Sequence, residues 1–494
     1  MLEIYNTMNR EKEKFVSQND DRVNLFVCGP TVYDDAHIGH GRTYISFDMI
    51  KRYLEFIGYS VFYLENITDV DDKIVVKARE MGLNFETLAR FYENRFKEDM
   101  YTLNVDSVNF YPRATSHLKE IYKQIDILLE KGFAYETDYG IYFETAKFPD
   151  YGKLSNQRLD KLETHREIAK SNKKSPYDFA LWKKTNEKPY FTSKWGNGRP
   201  GWHIEDTAIT AEYFGSQYDI HGGGLDLIFP HHESEIAQME SISSLEPMVK
   251  YWLHTGFLNV EGEKMSKSLG NFITIREILK DWDPMVFRLF ILSTHYRNPI
   301  DFSFKALNQA SKNMDRLKKT VNNLIEFQEI LDKSYPKRDE FKTLQSKPLK
   351  DELIKYDDLN HDILVRLNDV KKEFFKHMDD DFNTPRSLAA VLNFTKNINS
   401  FINENISKID IDENQLKIAQ EFIYLSLRFL MDFDEIFNLN LFKQEKSLEN
   451  QELADNLLDI ILKTRDKIRD EKNYQLSDYI REQINELGIN IEDR

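Results

Sequence analysis

Phe26–Tyr44 reads FVCGPTVYDDAHIGHGRTY, and the run it continues, Val23-Asn24-Leu25-Phe26-Val27, is an apolar strand pattern. The chain then turns through Cys28-Gly29-Pro30 and reaches His37-Ile38-Gly39-His40. Beyond it, Tyr44, Ile45, Phe47, Met49 and Ile50 are spaced as on a helix. A strand, a glycine-bearing loop and a helix N-terminus predict an α/β unit. Such a helix end suits phosphate, because its first backbone N–H groups are unpaired and its dipole end is positive. His37 and His40, three apart, share one face of the first turn. Two imidazoles there can donate hydrogen bonds to charge building up on a phosphoryl group. Gly39 between them leaves room for a nucleotide near the backbone. Alone, the pair also fits two surface histidines at a helix start.

A second motif changes that balance. Lys264-Met265-Ser266-Lys267-Ser268 stands in a polar loop flanked by Gly262 and Gly270. Two lysines three apart, with two hydroxyls, make a cationic clamp for a triphosphate.

The chain has 494 residues, enough for about two to four domains and a large core. Hydrophobic residues make up 41%, which predicts a globular protein, and the net charge of −16 excludes a uniformly basic coat for nucleic acid. Local basic faces are still available, in the runs Arg166–Pro200 and Lys305–Lys350. The single cysteine rules out an intrachain disulfide and fits a reducing, cytoplasmic setting. No signal-peptide core and no apolar run of membrane-spanning length is present, so no membrane is expected among the partners.

Taken in order, residues 1–115 read as α/β, with a second strand in Gly58–Leu64 and a helix in Glu86–Met100. Residues 116–195 change character: a helix at Leu118–Leu129, two short strands, then basic loop-rich sequence. This predicts an insertion between two halves of one nucleotide-binding domain, the second half returning over 196–245. There Tyr218–His221 reads as a strand ending in Gly222, Gly223 and Gly224, whose bare backbone a ligand can touch, with Asp226 and Pro230 following. Pro230 is expected to open a helix. His231 and Glu235, four apart on it, could offer a metal one nitrogen and one oxygen, or could belong to a salt-bridge network. The 246–305 region holds the lysine motif, residues 306–440 read as a helical bundle, and 453–494 as a small terminal helical unit.

Further motifs narrow the reading. CGPTVYD before HIGH, NITDVDDKI, DFALWK, GRPGWHIE, HGGGLDLIFPHHESEIAQ, EKMSKSLGNF, HYRNPI and DDDFNTP, from Cys28 to Pro385, together resemble the cysteinyl-tRNA synthetases of class I. The resemblance implies a Rossmann-type catalytic domain with an insertion, followed by a tRNA-contacting helical bundle and a small C-terminal unit on the anticodon side. It implies activation of L-cysteine with ATP and Mg²⁺, and transfer of the cysteinyl group to cysteine tRNA. His37, His40, Lys264 and Lys267 would be catalytic. Gly39, His40, Gly222, Gly223, Gly224, Asp226 and Lys267 would bind ATP, and Cys28, Thr68, Trp202 and His221 the cysteine. The family holds Zn²⁺ through two cysteines, a histidine and a glutamate. Cys28, His231 and Glu235 match three of these positions, but the fourth is Asp206, and no other cysteine exists. Aspartate ligates zinc through oxygen, so a Cys28–Asp206–His231–Glu235 site, another metal, or an empty site all stay open. The family usually continues beyond the residues matching the last unit, so anticodon reading by 453–494 is the less secure expectation. A monomer is expected. Two other functions fit the same catalytic half: a ligase joining cysteine to an amino sugar, and a non-catalytic tRNA-binding paralogue.

Overall fold

The computed structural model describes residues 1–157, 172–265, 270–334, 362–406 and 413–443, together with positions between 457 and 480. The N-terminal hairpin β1 (Glu3–Asn6) and β2 (Glu11–Lys14) precedes β3 (Arg22–Val27), the strand read from the sequence. Helix α1 (Ile38–Phe56) and strand β4 (Ser60–Glu65) complete a first β-α-β unit. Three helices follow, α2 (Asp72–Glu80), α3 (Phe85–Thr102) and α4 (Leu118–Glu130). Strands β5 (Ala134–Thr137), β6 (Gly140–Phe143), β7 (Phe179–Lys184), β8 (Phe191–Ser193) and β9 (Gly196–Pro200) pair as an antiparallel sheet in the order β5-β6-β7-β9-β8. Helix α5 (Ile204–Phe214) leads into a second β-α-β unit, β10 (Tyr218–Gly224), α6 (Glu233–Ser243) and β11 (Val249–Thr255).

The two units share one parallel sheet of order β11-β10-β3-β4. The chain steps from β3 outward to β4, and from β10 outward to β11. The strand order therefore reverses between β3 and β10, and a crevice opens beyond their carboxyl ends, where open α/β sheets bind ligands. Helix α1 is buried along most of its length and anchors that crevice. A Cβ at Gly222 would stand 2.3 Å from the Phe47 ring, and one at Gly41 would stand 2.9 Å from Phe287. Both glycines thus let α1 close on its neighbours. The buried Arg42 guanidinium donates to the carbonyls of Ile291, His295, Tyr296 and Asn298 at 2.7–3.1 Å. It ties α1 to the chain that follows the lysine motif.

One local expectation is corrected. The strand does not stop at His221: Gly222, Gly223 and Gly224 lie within β10, paired in parallel with Leu253, His254 and Thr255. Pro230 likewise does not open the regular helix. A kinked turn over Ile228–His232 precedes α6, with Phe229 in extended backbone.

Strands β12 (Leu258–Val260) and β13 (Glu263–Lys264) form a small sheet with β14 (Ile300–Phe302), and helices α7 (Ile275–Ile278) and α8 (Pro284–Leu292) lie between them in sequence. Among the described residues four longer helices follow: α9 (Phe304–Ser334), α10 (Asp362–Met378), α11 (Thr384–Ile406) and α12 (Glu413–Phe437). Their core is aromatic, with the Phe374 ring set edge-on to Phe429 and Phe433. Asp381, just after α10, accepts from Tyr5 N–H at 2.9 Å, Tyr296 O–H at 2.8 Å and Arg297 Nε at 2.6 Å. The HYRNPI and DDDFNTP motifs therefore meet at a joint between sheet and bundle. Residues Met1–Asn440 form one compact unit and Leu441–Arg494 a second, helical at its described positions from Leu457 on. No helix among the described residues is long and apolar enough to cross a membrane.

Candidate active site and metal centre

The crevice is a cleft of about 490 Å³, within the size range of small-molecule sites. Its first wall is the start of α1. His37 is the N-cap, and its Nδ1 accepts from the N–H of Gly39 at 3.1 Å and of His40 at 3.3 Å. His40 Nδ1 accepts from His37 N–H at 3.3 Å, which completes a reciprocal capping box. A nitrogen that accepts carries no proton, so in both neutral rings the proton sits on Nε2. Burial, and then the adjacent His37, push the His40 imidazole below its ordinary range. The two rings stack with centroids 3.8 Å apart. Both therefore act as neutral N–H donors held by the backbone, the form that stabilises developing phosphoryl charge without adding a fixed positive charge. A Cβ on Gly39 would stand 2.9 Å from the His37 ring. The first need for glycine here is to seat that ring, although Gly39 also lines the cleft.

Of the lysine motif, Met265 is the residue whose side chain is described. Met265 and Phe272 line the cleft, and Phe272 packs edge-on to His37 at 5.1 Å. The chain leaving the motif is pinned to the first by Ile38 N–H to the Ile273 carbonyl at 3.1 Å and Ile275 N–H to the Ala36 carbonyl at 2.9 Å. Lys267, expected to be catalytic, lies outside the described residues, as does the side chain of Lys264. Of the three glycines expected at ATP, Gly224 lines the cleft together with Asp226. Gly222 faces Phe47, and a Cβ on Gly223 would stand 3.0 Å from the His232 ring.

Cys28 and Trp202 line the cleft as well. Thr68 and His221 are buried and are absent from its lining. Thr68 donates to the buried Glu205 carboxylate. Trp202 stacks on His231 at 4.2 Å. The four residues expected to hold a metal do converge: one donor atom each from Cys28, Asp206, His231 and Glu235 lies within 4.8 Å of all the others. A second set, Cys28, His221, His232 and Glu235, meets the same limit. All of these side chains are buried. The Glu235 carboxylate has His231 Nε2 3.0 Å from Oε1 and His221 Nε2 3.4 Å from Oε2, without a well-aligned hydrogen bond to either oxygen. Burial, and then the Glu235 and Asp206 carboxylates, push the Cys28 thiol well up. Burial likewise pushes His221 and His232 down, towards the neutral form that ligates. Against burial, the Glu235 and Asp206 carboxylates raise His231. A thiol, imidazoles and a carboxylate around one point fit a zinc-class cation. His232 and His254 carried no role in the sequence reading. Two adjacent histidines at a helix start were the available signal.

Comparison with known proteins agrees with this geometry. The model for the tRNA synthetases class I (C) catalytic domain matches residues 14–312, and that for the DALR domain matches 373–425. The cysteine–tRNA ligase of Thermococcus gammatolerans is 43% identical over 100% of this chain and 97% of its own length. The chain belongs to the class I cysteine–tRNA ligase family. A second cysteine–tRNA ligase, from Thermoplasma volcanium, is 44% identical over 99% of this chain and 98% of its own. A solved Mycobacterium tuberculosis methionyl-tRNA synthetase in complex with methionyl-adenylate shares the fold, with a TM-score of 0.61 at 14% identity, over 86% of this chain and 93% of that one.

Proposed function

We propose that this ligase activates L-cysteine with ATP and then moves the cysteinyl group to the terminal adenosine of cysteine tRNA. One observation carries the reading: two capped imidazole donors stand in the switch-point cleft that Cys28 also lines. ATP enters with Mg²⁺ as its counter-ion. A cysteine carboxylate oxygen attacks the α-phosphorus, the bond from that phosphorus to the β-bridging oxygen breaks, and pyrophosphate leaves. His37 and His40 donate from Nε2 to the phosphoryl oxygens as charge builds up. Lys267, with Lys264, holds the departing phosphates. Gly39, Gly224 and Asp226 border the nucleotide, and Trp202 walls the amino acid. Catalysis here is positioning and charge stabilisation.

Cys28, Asp206, His231 and Glu235 would hold a zinc-class cation, which would supply a Lewis acid that prefers thiolate sulfur to a hydroxyl and so would separate cysteine from serine. The bundle over 306–440 and the unit over 453–494 contact tRNA. The catalytic domain is formed by 1–115 and 196–245, interrupted by the connective insertion over 116–195. The protein works as a cytoplasmic monomer.

The test is cysteine-dependent ATP–pyrophosphate exchange together with charging of tRNA. Exchange and charging with tRNA, and no product with an amino-sugar acceptor, are expected. Exchange with transfer to the amino sugar alone, or tRNA binding without exchange, would replace the proposal with one of the two other functions.

A further inference from the structure

We propose that the open face of α2, beside the cleft, takes the single-stranded 3′ end of the tRNA, with Lys73 and Lys77 on successive phosphates and Tyr33 stacked on a base. The inference rests on the ligase reading and names where its RNA substrate enters.

A groove of about 360 Å³, lined by Tyr33, Asp72, Lys73, Val76, Lys77 and Glu80, adjoins the cleft. Tyr33 and Lys73 line both, so the groove continues the wall of the site. The sequence of α2 accounts for it. Ile74, Val75 and Ala78 are the buried positions of the helix. Lys73, Val76, Lys77 and Glu80 are spaced i, i+3, i+4 and i+7, so they share the opposite face. Val76, at its middle, is 53% exposed and offers a sugar or base an apolar contact.

The charges on this face are not used up by the fold. Asp72 is paired with Lys183 Nζ at 2.8 Å and Arg199 Nη2 at 2.7 Å, and Arg79 with Glu187 at 2.9 Å. Those pairs tie α2 to the inserted antiparallel sheet and fix the helix beside the cleft. Among the described residues no carboxylate takes up the ammonium of Lys73 or Lys77, and Lys73 Nζ lies over the Tyr33 ring at 5.4 Å. Glu80 stands two helical turns beyond Lys73, about 10 Å away along the axis. In a chain of net charge −16 this lip of the cleft is a local cationic exception, and the local field is what a ligand meets.

The chemistry selects an unpaired strand. Side chains four apart on a helix stand about 5–6 Å apart at Cβ, so Lys73 and Lys77 make a short row of cations for a phosphodiester backbone. An aromatic ring beside such a row is how proteins hold unpaired nucleotides: the cations take the phosphates and the ring takes a base face. A duplex keeps its base faces stacked and has none to give Tyr33. A tRNA ends in unpaired nucleotides, and its terminal adenosine must reach the cleft for transfer. The nucleotides before it then leave the cleft across an open wall, and the groove that shares Tyr33 and Lys73 is such a wall.

The experiment is a binding cycle on the full-length protein, using intact cysteine tRNA and the same tRNA with its unpaired 3′-terminal nucleotides removed. Alanine keeps the helix at positions 73 and 77. Lys73→Ala combined with Lys77→Ala should weaken intact tRNA about 5–25-fold, and should lower the slope of log affinity against log salt by ~1.4, or ~0.7 per single-strand phosphate. Tyr33→Ala should weaken intact tRNA by ~5–150-fold, the worth of one stacked base, and Tyr33→Phe should restore it. The shortened tRNA should bind all of these proteins within ~2-fold of the parent, because the contact it has lost is the one removed. Lys77→Ala, whose side chain lines the groove and not the cleft, should keep parental pyrophosphate exchange without tRNA. Equal weakening of both tRNAs would overturn the inference by moving the contact elsewhere on the RNA, and so would unchanged binding of both. If the parent exchanges and charges while the cycle shows no coupling, the groove alone is refuted. A parent that neither exchanges nor charges refutes the ligase reading, and the groove with it.

Discussion

Replacing His37 with asparagine separates its two jobs. In the structure Nδ1 of His37 caps α1 through the N–H groups of Gly39 and His40 at 3.1 and 3.3 Å, and the opposite nitrogen keeps the proton for the cleft. Asparagine is among the best N-cap residues, so its side-chain oxygen keeps the cap. It is shorter, and it cannot present a second donor to the phosphoryl group from the capped position. Removing one donor from such a site costs about 2.7–4 kcal/mol, or ~10²–10³ in kcat. His37→Asn should therefore lose ~10²–10³ in the rate of cysteine-dependent pyrophosphate exchange, at a stability within ~0.5 kcal/mol of the parent. His37→Ala should lose as much rate and also ~1 kcal/mol of stability, with the cap gone. Exchange kinetics and urea unfolding on the same three proteins read both quantities. Near-parental exchange in His37→Asn would refute the donor role. Equal destabilisation of the asparagine and alanine variants would refute the cap argument that fixes the ring's proton.

Other positions give independent outcomes. Gly39→Ala forces the His37 ring to shift, because the new Cβ would sit 2.9 Å from it. Exchange should fall by ~10–100-fold, the cost of a misplaced group, with little change in the KM for cysteine, as steady-state exchange kinetics can show. Gly222→Ala meets the Phe47 ring at 2.3 Å and should lower stability by about 1–3 kcal/mol in urea unfolding. Lys267→Ala should reduce the activation rate more than cysteine affinity, and an unchanged exchange rate would remove it from the phosphate role. Burial, only partly offset by Arg428, lifts the Asp432 carboxyl to about 6. The folded chain then keeps a proton that the unfolded chain has lost between about pH 4 and 6, so this group's contribution to stability falls as pH rises through that window. Asp432→Asn should raise Tm at pH 7.5 relative to the parent, and the gain should shrink towards pH 4 in paired melting curves.

Elements with a strong period or cap were legible in the sequence. The apolar run of β3 and the helix expected over Leu118–Leu129, which the structure has as α4, fall where the residues put them. The end of β10 was not legible, because three glycines have no side-chain period. What holds them in a strand is pairing with β3 on one side and β11 on the other, and neither partner is visible from β10 itself. The helical region expected from 306 begins at Phe304, just after Ser303, whose Oγ accepts from Ala306 N–H at 3.3 Å. In the site, the residue types of the first motif were readable, but the proton positions on His37 and His40 follow from the cap geometry.

The surroundings of Cys28 were the least legible part, and the cause is topological. Its neighbours come from the end of β3, the middle of β10 and the start of α6, and the chain of rings ends on Thr7, 247 residues away from His254. Pattern matching assigns one role per position, so it reads Asp206 as a substituted ligand and His221 as a substrate contact. The packed structure puts an imidazole on each side of Cys28 and turns Asp206 towards Asn66 and His231. An aspartate is tolerable at that position because the carboxylate is hydrogen-bonded by Asn66 and paired with His231. Glu235 sits between His231 and His221, 3.0 and 3.4 Å from their Nε2 atoms, so its burial is offset by imidazoles that the sequence alone does not bring together.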